Sequence, residues 1–63
     1  MKTLANHTIV RAYGESFVVT ASTVQERIDV ENTCKSLWLE FRESTQEDLE
    51  KLVSIDAKGW LNF

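Results

Sequence analysis

The sequence is poor in the residues from which active sites and covalent frameworks are built. It contains no proline, two glycines, one histidine and one cysteine among 63 residues. The single Cys34 cannot form an internal disulfide, and together with the lone His7 it does not make a thiolate-rich zinc site. No serine, aspartate or second histidine is placed to complete a nucleophile–base pair. The sequence therefore predicts no catalytic, cofactor-binding or metal-binding residue, and we expect that the protein is not an enzyme.

Long apolar runs and clusters of basic residues are also missing. No run approaches the roughly 18 residues that a membrane-spanning helix needs. Polar Asn6, His7 and Thr8 interrupt the N-terminal stretch, which would be apolar in a signal peptide. We therefore expect a cytoplasmic protein with no membrane partner. Seven lysines and arginines stand against ten acidic residues, and without clustered positive charge we do not expect nucleic acid as a partner.

Two β-prone runs flank the first glycine. The segments "HTIVRA" and "SFVVTA" are rich in threonine, isoleucine, valine and phenylalanine, and Gly14 lies between them. This pattern predicts an antiparallel hairpin over about residues 7–20, with Gly14 taking the positive φ of the turn. Alternation places Ile9 and Val10 on opposite faces of the hairpin but does not settle which face is the core side.

A helix is predicted over about residues 23–43. Ser22 with Gln25, or Thr23 with Glu26, has the spacing of a capping box, and apolar residues then recur at helical intervals. These apolar residues are Val30, Cys34, Leu37 and Phe41. On this interpretation Cys34 is a small buried hydrophobe. The segment "SLWLEF" over residues 36–41 also alternates as a strand would, and this alternative stays open.

A second helix is predicted over about residues 45–58. Ser44 with Glu47, or Thr45 with Asp48, again has capping-box spacing. Gly59 suits the position just past a helix end, so that Trp60 would pack back on the last turn. The predicted fold is thus α+β, a single small domain over residues 1–63. It has an antiparallel hairpin, a long amphipathic helix and a shorter helix in the order ββαα, followed by an apolar tail over residues 60–63.

The second half of the chain carries features of an interaction surface. It holds the excess of acidic residues, and its large apolar residues exceed what the expected core can cover once Tyr13, Phe17 and Phe41 are packed there. Tryptophan is a favoured interface anchor, and an acidic face complements a basic one. The candidate partner-binding residues are Trp38, Glu40, Glu43, Glu47, Asp48, Glu50, Trp60, Leu61 and Phe63.

These features together predict a non-enzymatic protein-binding module, an inhibitor or adaptor that acts on a protein with a basic surface. We expect it to self-associate, as a homodimer or another homo-oligomer, through apolar surface on the long helix and tail. Its size, acidity and lack of motifs look like those of the small accessory proteins of phages and other mobile elements, which often bind a host protein.

The alternative is a small transcriptional regulator that binds DNA as a dimer and presents Lys2, Arg11 and Arg27. The expected order of elements loosely resembles the strand–helix–helix order of ribbon-helix-helix repressors. In that family the basic face of a strand reads DNA, whereas here Arg11 is the only basic residue on the expected strands, and two strands replace one.

Removal of residues 61–63 distinguishes two roles for the apolar tail. If Leu61 and Phe63 dock on their own core, truncation lowers the free energy of unfolding by roughly 1–3 kcal/mol, the scale of burying one or two such side chains. Urea unfolding of the full and truncated chains measures the difference. Unchanged stability together with lost association would instead assign the tail to an interface.

Overall fold

A four-stranded mixed sheet forms the centre of the computed structural model, which describes residues 3–62. The elements follow as β1 (Thr3–Ala12), β2 (Glu15–Thr20), α1 (Val24–Ser36), β3 (Glu40–Thr45), α2 (Gln46–Lys51), β4 (Ser54–Asp56) and α3 (Ala57–Leu61). Across the sheet the strand order is β3-β1-β2-β4, with β2 and β4 parallel and the other neighbours antiparallel. The fold is α+β as predicted, but its element order is ββαβαβα rather than ββαα.

The predicted hairpin is confirmed. Ala12 pairs with Glu15, so Tyr13 and Gly14 form a two-residue turn in which both φ angles are positive, at 55° and 78°. Positive φ at both central residues is the signature of the type I′ turn, whose twist matches that of the flanking strands. The first strand is longer than expected because it begins at Thr3 and also pairs with β3.

The face of the hairpin that carries Val10 and Val19 is the one that packs on α1. The buried core cluster comprises Val10, Val19, Ala21, Val30, Cys34 and Ala57, and Phe17, Leu39, Phe41, Trp60 and Leu61 pack around it. The prediction that Cys34 is a buried hydrophobe is therefore confirmed. Ile9 and Val18 belong to the opposite face by alternation, yet they are only 7% and 0% exposed, so that face is covered as well.

The prediction of a helix through residue 43 is wrong, because α1 ends at Ser36 and the following residues turn into β3. The open alternative, a strand within "SLWLEF", is closer to the structure. Phe41 does reach the core, but it does so from a strand in which it pairs with Val10. Val30 on α1 and Phe41 on β3 both reach the same core, and their helical spacing in the sequence is therefore a coincidence.

The prediction of a second helix over residues 45–58 is also wrong. Helix α2 ends at Lys51, and the chain then extends so that the Val53 carbonyl accepts a hydrogen bond from the Val18 N–H at 2.8 Å. This contact begins the pairing of β4 with β2. Gly59 consequently lies inside α3 rather than past a helix end. Val53 is 71% exposed, because pairing with the sheet overrides the helical pattern.

Of the two capping boxes that the spacing allows, the one at Thr45 and Asp48 forms and starts α2. The Thr45 hydroxyl accepts from the Asp48 N–H at 3.2 Å, and Asp48 Oδ2 accepts from the Thr45 N–H at 3.1 Å. The hydrogen bonds from the backbone and side chain of Thr45, and after them the positive charge of Arg42, hold the pKa of Asp48 below its ordinary value. The carboxylate form is thus favoured in the folded state.

We expect Asp48→Asn to destabilise the protein at neutral pH and much less in acid. A lowered folded-state pKa means that the carboxylate contributes fully above the unfolded pKa of about 3.9, and that this contribution is lost as the pH falls through the folded pKa. Urea unfolding at pH 7 and at pH 2.5 measures the difference from the unsubstituted protein. Glu50→Gln, an exposed change on the same helix, is the matched control. A destabilisation by Asp48→Asn of equal size at both pH values would contradict the expectation.

Candidate functional site

Large apolar side chains are exposed together at one end of the sheet. The last residue pair of β1 and β3 joins Arg11 to Glu40, so the hairpin turn and the connection from α1 to β3 lie at the same end. In the turn Tyr13 is 102% exposed, and in the connection Leu37 and Trp38 are 51% and 93% exposed. Together with the half-buried residues below them, they define a surface that we call the aromatic end. It comprises Tyr13, Phe17, Leu37, Trp38, Leu39 and Trp60.

The aromatic end contains an open groove of about 460 Å³. Its lining residues are Ala12, Tyr13, Glu15, Phe17, Leu37, Leu39 and Trp60. The rings of Phe17 and Trp60 lie 6.3 Å apart at an angle of 57°, within the range of a favourable tilted aromatic pair. Since Phe17, Leu39 and Trp60 also pack on the buried core, the floor of the groove is held in place by the fold.

Helix α1 ends beside the groove in a Schellman motif that has tryptophan in the position usually taken by glycine. The Leu39 N–H donates to the Cys34 carbonyl at 2.9 Å, and the Trp38 N–H donates to the Lys35 carbonyl at 3.3 Å. These two hydrogen bonds define the Schellman motif, in which the first residue past the C-cap takes a left-handed conformation. That residue is Trp38, with φ of 60°.

Tyr13 and Trp38 are the two non-glycine residues with positive φ within residues 3–62. The left-handed conformation costs about 1–2 kcal/mol for a residue with a side chain. Asparagine, aspartate or glycine ordinarily occupies the position of Tyr13 in a type I′ turn. Neither aromatic ring offsets this cost by burial, since both are almost fully exposed. Strain of this kind is found preferentially at functional sites.

The five acidic candidates, expected on the two predicted helices, are divided between a strand and a helix. Glu40 and Glu43 lie on β3, whereas Glu47, Asp48 and Glu50 lie on α2. Most of them have partners within the fold. The ion pairs are Glu40 with Arg11 at 3.8 Å, Asp48 with Arg42 at 3.3 Å and Glu47 with Lys51 at 2.7 Å. In addition, Glu43 accepts from the Thr3 hydroxyl at 2.6 Å.

The apolar candidates separate into two groups. Trp38 and Trp60 both belong to the aromatic end. Leu61 lies on α3 and packs against the buried core, and Phe63 lies outside the described residues. The sequence interpretation missed Leu37 as a surface residue and wrongly assigned Tyr13 to the core. The signal for Tyr13 was available, because the residue before the glycine of a two-residue hairpin turn points away from both strands.

Nucleophilic and metal chemistry finds little support in the geometry. Cys34 is completely buried, and this burial, followed by the charge of Glu31, raises the pKa of its thiol. A buried, protonated thiol is a poor nucleophile. Within residues 3–62, no three histidine, cysteine, aspartate or glutamate residues are grouped so that they could hold a metal ion. No helix in the same part of the chain is long and apolar enough to cross a membrane.

The arginines needed for the DNA-binding alternative are engaged with carboxylates. Arg11 lies 3.8 Å from Glu40, and Arg27 lies 3.7 Å from Glu31. Lys2 lies outside the described residues. The alternative stays a prediction, and these two ion pairs do not favour it, because neighbouring carboxylates reduce the attraction of arginine for phosphate.

The chain matches no family model, no curated protein and no solved structure in comparisons with known proteins. The geometry of the aromatic end is therefore the strongest basis for a functional argument.

Trp38→Gly is expected to make the protein more stable than Trp38→Ala, by about 1 kcal/mol. Both substitutions remove the exposed ring, but only glycine adopts the positive φ of 60° without steric cost. Thermal and urea unfolding of the two variants measure the difference. Equal stability of the glycine and alanine variants would show that the left-handed conformation of Trp38 carries no strain.

Proposed function

We propose that the protein is a non-enzymatic binding module, an inhibitor or adaptor, that binds another protein through its aromatic end. One observation carries the proposal: Tyr13 and Trp38 are held in left-handed conformations and are almost fully exposed at the same end of the sheet. Glycine or asparagine at either position would adopt the left-handed conformation at lower cost. An aromatic ring at both positions is best explained by a gain made in a complex.

The aromatic end has the composition of an energetic centre in a protein interface. Tryptophan and tyrosine are enriched among the residues that dominate binding energy, because each buries a large area with few rotatable bonds. The backbones of Tyr13 and Trp38 are fixed by a tight turn and a helix terminus. Less conformational entropy is therefore lost when a partner covers them.

The charges at the groove favour a partner that carries basic residues beside an apolar segment. Glu15 lines the groove, and its carboxylate lies in the exposed part of the molecule. The chain as a whole has a net charge of −3. Complementary charge of this kind raises the rate of association and orients the partner more than it strengthens the final complex.

The chemistry of the groove also supports binding rather than catalysis. Its ionisable lining groups are Glu15 and Tyr13, and its other lining residues are alanine, leucine, phenylalanine and tryptophan. Acid–base catalysis ordinarily needs two groups of matched pKa in reach of one substrate atom. An apolar groove with one carboxylate at its rim fits a peptide or protein surface better.

Affinity capture with matched variants tests the proposal. The tagged protein is used to recover partners from a cytoplasmic extract of the organism that encodes it, and the recovered protein is then purified for titration. We expect Trp38→Gly to weaken its binding by about tenfold or more, the scale of an interface anchor, while stability does not fall. The loss then cannot be attributed to unfolding.

Val53→Ser is the matched control, because it removes an exposed apolar side chain on the β4 side of the sheet. It should leave the affinity unchanged. A partner bound equally well by Trp38→Gly and by the unsubstituted protein would contradict the proposal.

A further inference from the structure

The two edges of the sheet differ in length. One edge is β4, which has three residues, and the other is β3, which runs for six residues from Glu40 to Thr45. An edge strand presents backbone N–H and C=O groups that can pair with another strand, and proteins commonly protect such edges with charged side chains, proline, bulges or very short strands. The chain has no proline. The pairing of β1 with β3 has a register shift, but its extra residues lie on β1, between Leu4 and Thr8, and not on the edge strand β3.

The side chains of β3 are complementary to a second copy of themselves. By alternation Glu40 and Arg42 lie on one face of the strand and Phe41 on the other. If two β3 strands pair antiparallel with Phe41 at the twofold axis, Glu40 of each copy lies opposite Arg42 of the other. Two ion pairs then form on one face, and two Phe41 rings meet on the other. Opposite charges and aromatic rings are favourable cross-strand pairs.

Charge also disfavours the neighbouring registers. An axis at Arg42 places two arginines opposite each other, and an axis at Glu43 places two glutamates opposite each other. Like charges in directly opposed positions are destabilising. The sequence of β3 therefore selects the register centred on Phe41.

The hydrogen bonds of Arg42 are compatible with this pairing. Its Nη1 donates to the Glu43 carbonyl at 3.3 Å and to Asp48 Oδ2 at 3.3 Å. A guanidinium carries five N–H donors, so Nε and Nη2 can still reach a carboxylate across the new strand boundary. The side chain is 63% exposed and Glu40 is 80% exposed, which leaves both able to turn towards a second copy.

We infer that the protein forms an antiparallel homodimer through the free edge of β3, with Phe41 at the twofold axis. The two four-stranded sheets join into one continuous sheet. Because β3 starts at the aromatic end, antiparallel pairing directs the two aromatic ends in opposite directions along the strands. The dimer does not depend on the proposed function, but with it the dimer becomes bivalent and can bridge two partner molecules.

Two charge-reversal variants, measured separately and as a mixture, test the inference. Arg42→Glu leaves only acidic residues at positions 40 and 42, and Glu40→Arg leaves only basic ones. Sedimentation velocity over a concentration series is expected to show that each variant alone dimerises about tenfold or more weakly than the unsubstituted protein. An equimolar mixture is expected to restore the dimer, because each acidic strand then faces a basic one.

Lys51→Glu is the matched control, since it reverses a charge on α2, outside the paired strand, and it should dimerise normally. Trp38→Gly should do so as well, because the aromatic end is a separate surface. The inference is overturned if the unsubstituted protein stays monomeric at millimolar concentration, or if both reversals dimerise alone. It is also overturned if Trp38→Gly abolishes the dimer, which would assign self-association to the aromatic end.

Amide hydrogen exchange of the unsubstituted protein decides the matter even if a variant fails to fold. The Phe41 N–H is expected to become more protected as the dimer fraction rises with protein concentration. Protection of the Phe41 amide that does not change with concentration would overturn the inference.

Discussion

The termination of α1 is the constraint on which the rest of the structure depends. Two backbone hydrogen bonds, to the carbonyls of Cys34 and Lys35, stop the helix and force Trp38 into a left-handed conformation. The chain reverses there, and Leu39 folds back onto the core that contains Cys34. Only this reversal allows the following residues to run beside β1 as β3. The same backbone feature thus produces the third strand, the free edge of the sheet and the exposed tryptophan.

The opposite edge of the sheet depends on a second departure from helical structure. After α2 the chain extends, and the contact between Val53 and Val18 brings β4 alongside β2. Helix α3 then follows directly and places Trp60 against Phe17. The floor of the groove is therefore built from both ends of the chain. This explains how so short a protein supports a preformed concave surface.

The parts of the fold that the sequence predicts are those decided by neighbouring residues. The hairpin at Gly14, the N-cap at Thr23 and the capping box at Thr45 depend on contacts within a few positions, and all three are present. At Thr23 the box itself does not close, because the Glu26 carboxylate accepts from the Ser22 N–H instead of the Thr23 N–H. The strands β3 and β4 could not be predicted in the same way, because their backbone partners lie far away in sequence. For a six-residue and a three-residue strand, pairing with the sheet outweighs helical periodicity.

The candidate site was predicted only in part, for a related reason. Trp38 and Trp60 stand out in the sequence as large aromatics that a small core cannot cover, and both belong to the aromatic end. Tyr13 joins them because the hairpin turn and the end of α1 meet at the same end of the sheet, which is a property of the register between β1 and β3. The acidic candidates were expected on two consecutive helices, and the structure instead places Glu40 and Glu43 on β3 and the other three on α2.

The cost of the aromatic end is large relative to the stability that a chain of this size can have. A domain of 63 residues is expected to have a free energy of unfolding of only about 3–9 kcal/mol, at the usual 0.05–0.15 kcal/mol per residue. Two left-handed aromatic residues cost about 2–4 kcal/mol together. In the isolated chain no burial of Tyr13 or Trp38 offsets that cost. A complex that buries the two rings would recover this cost, and this is how the strain in two backbone residues supports the proposed binding function.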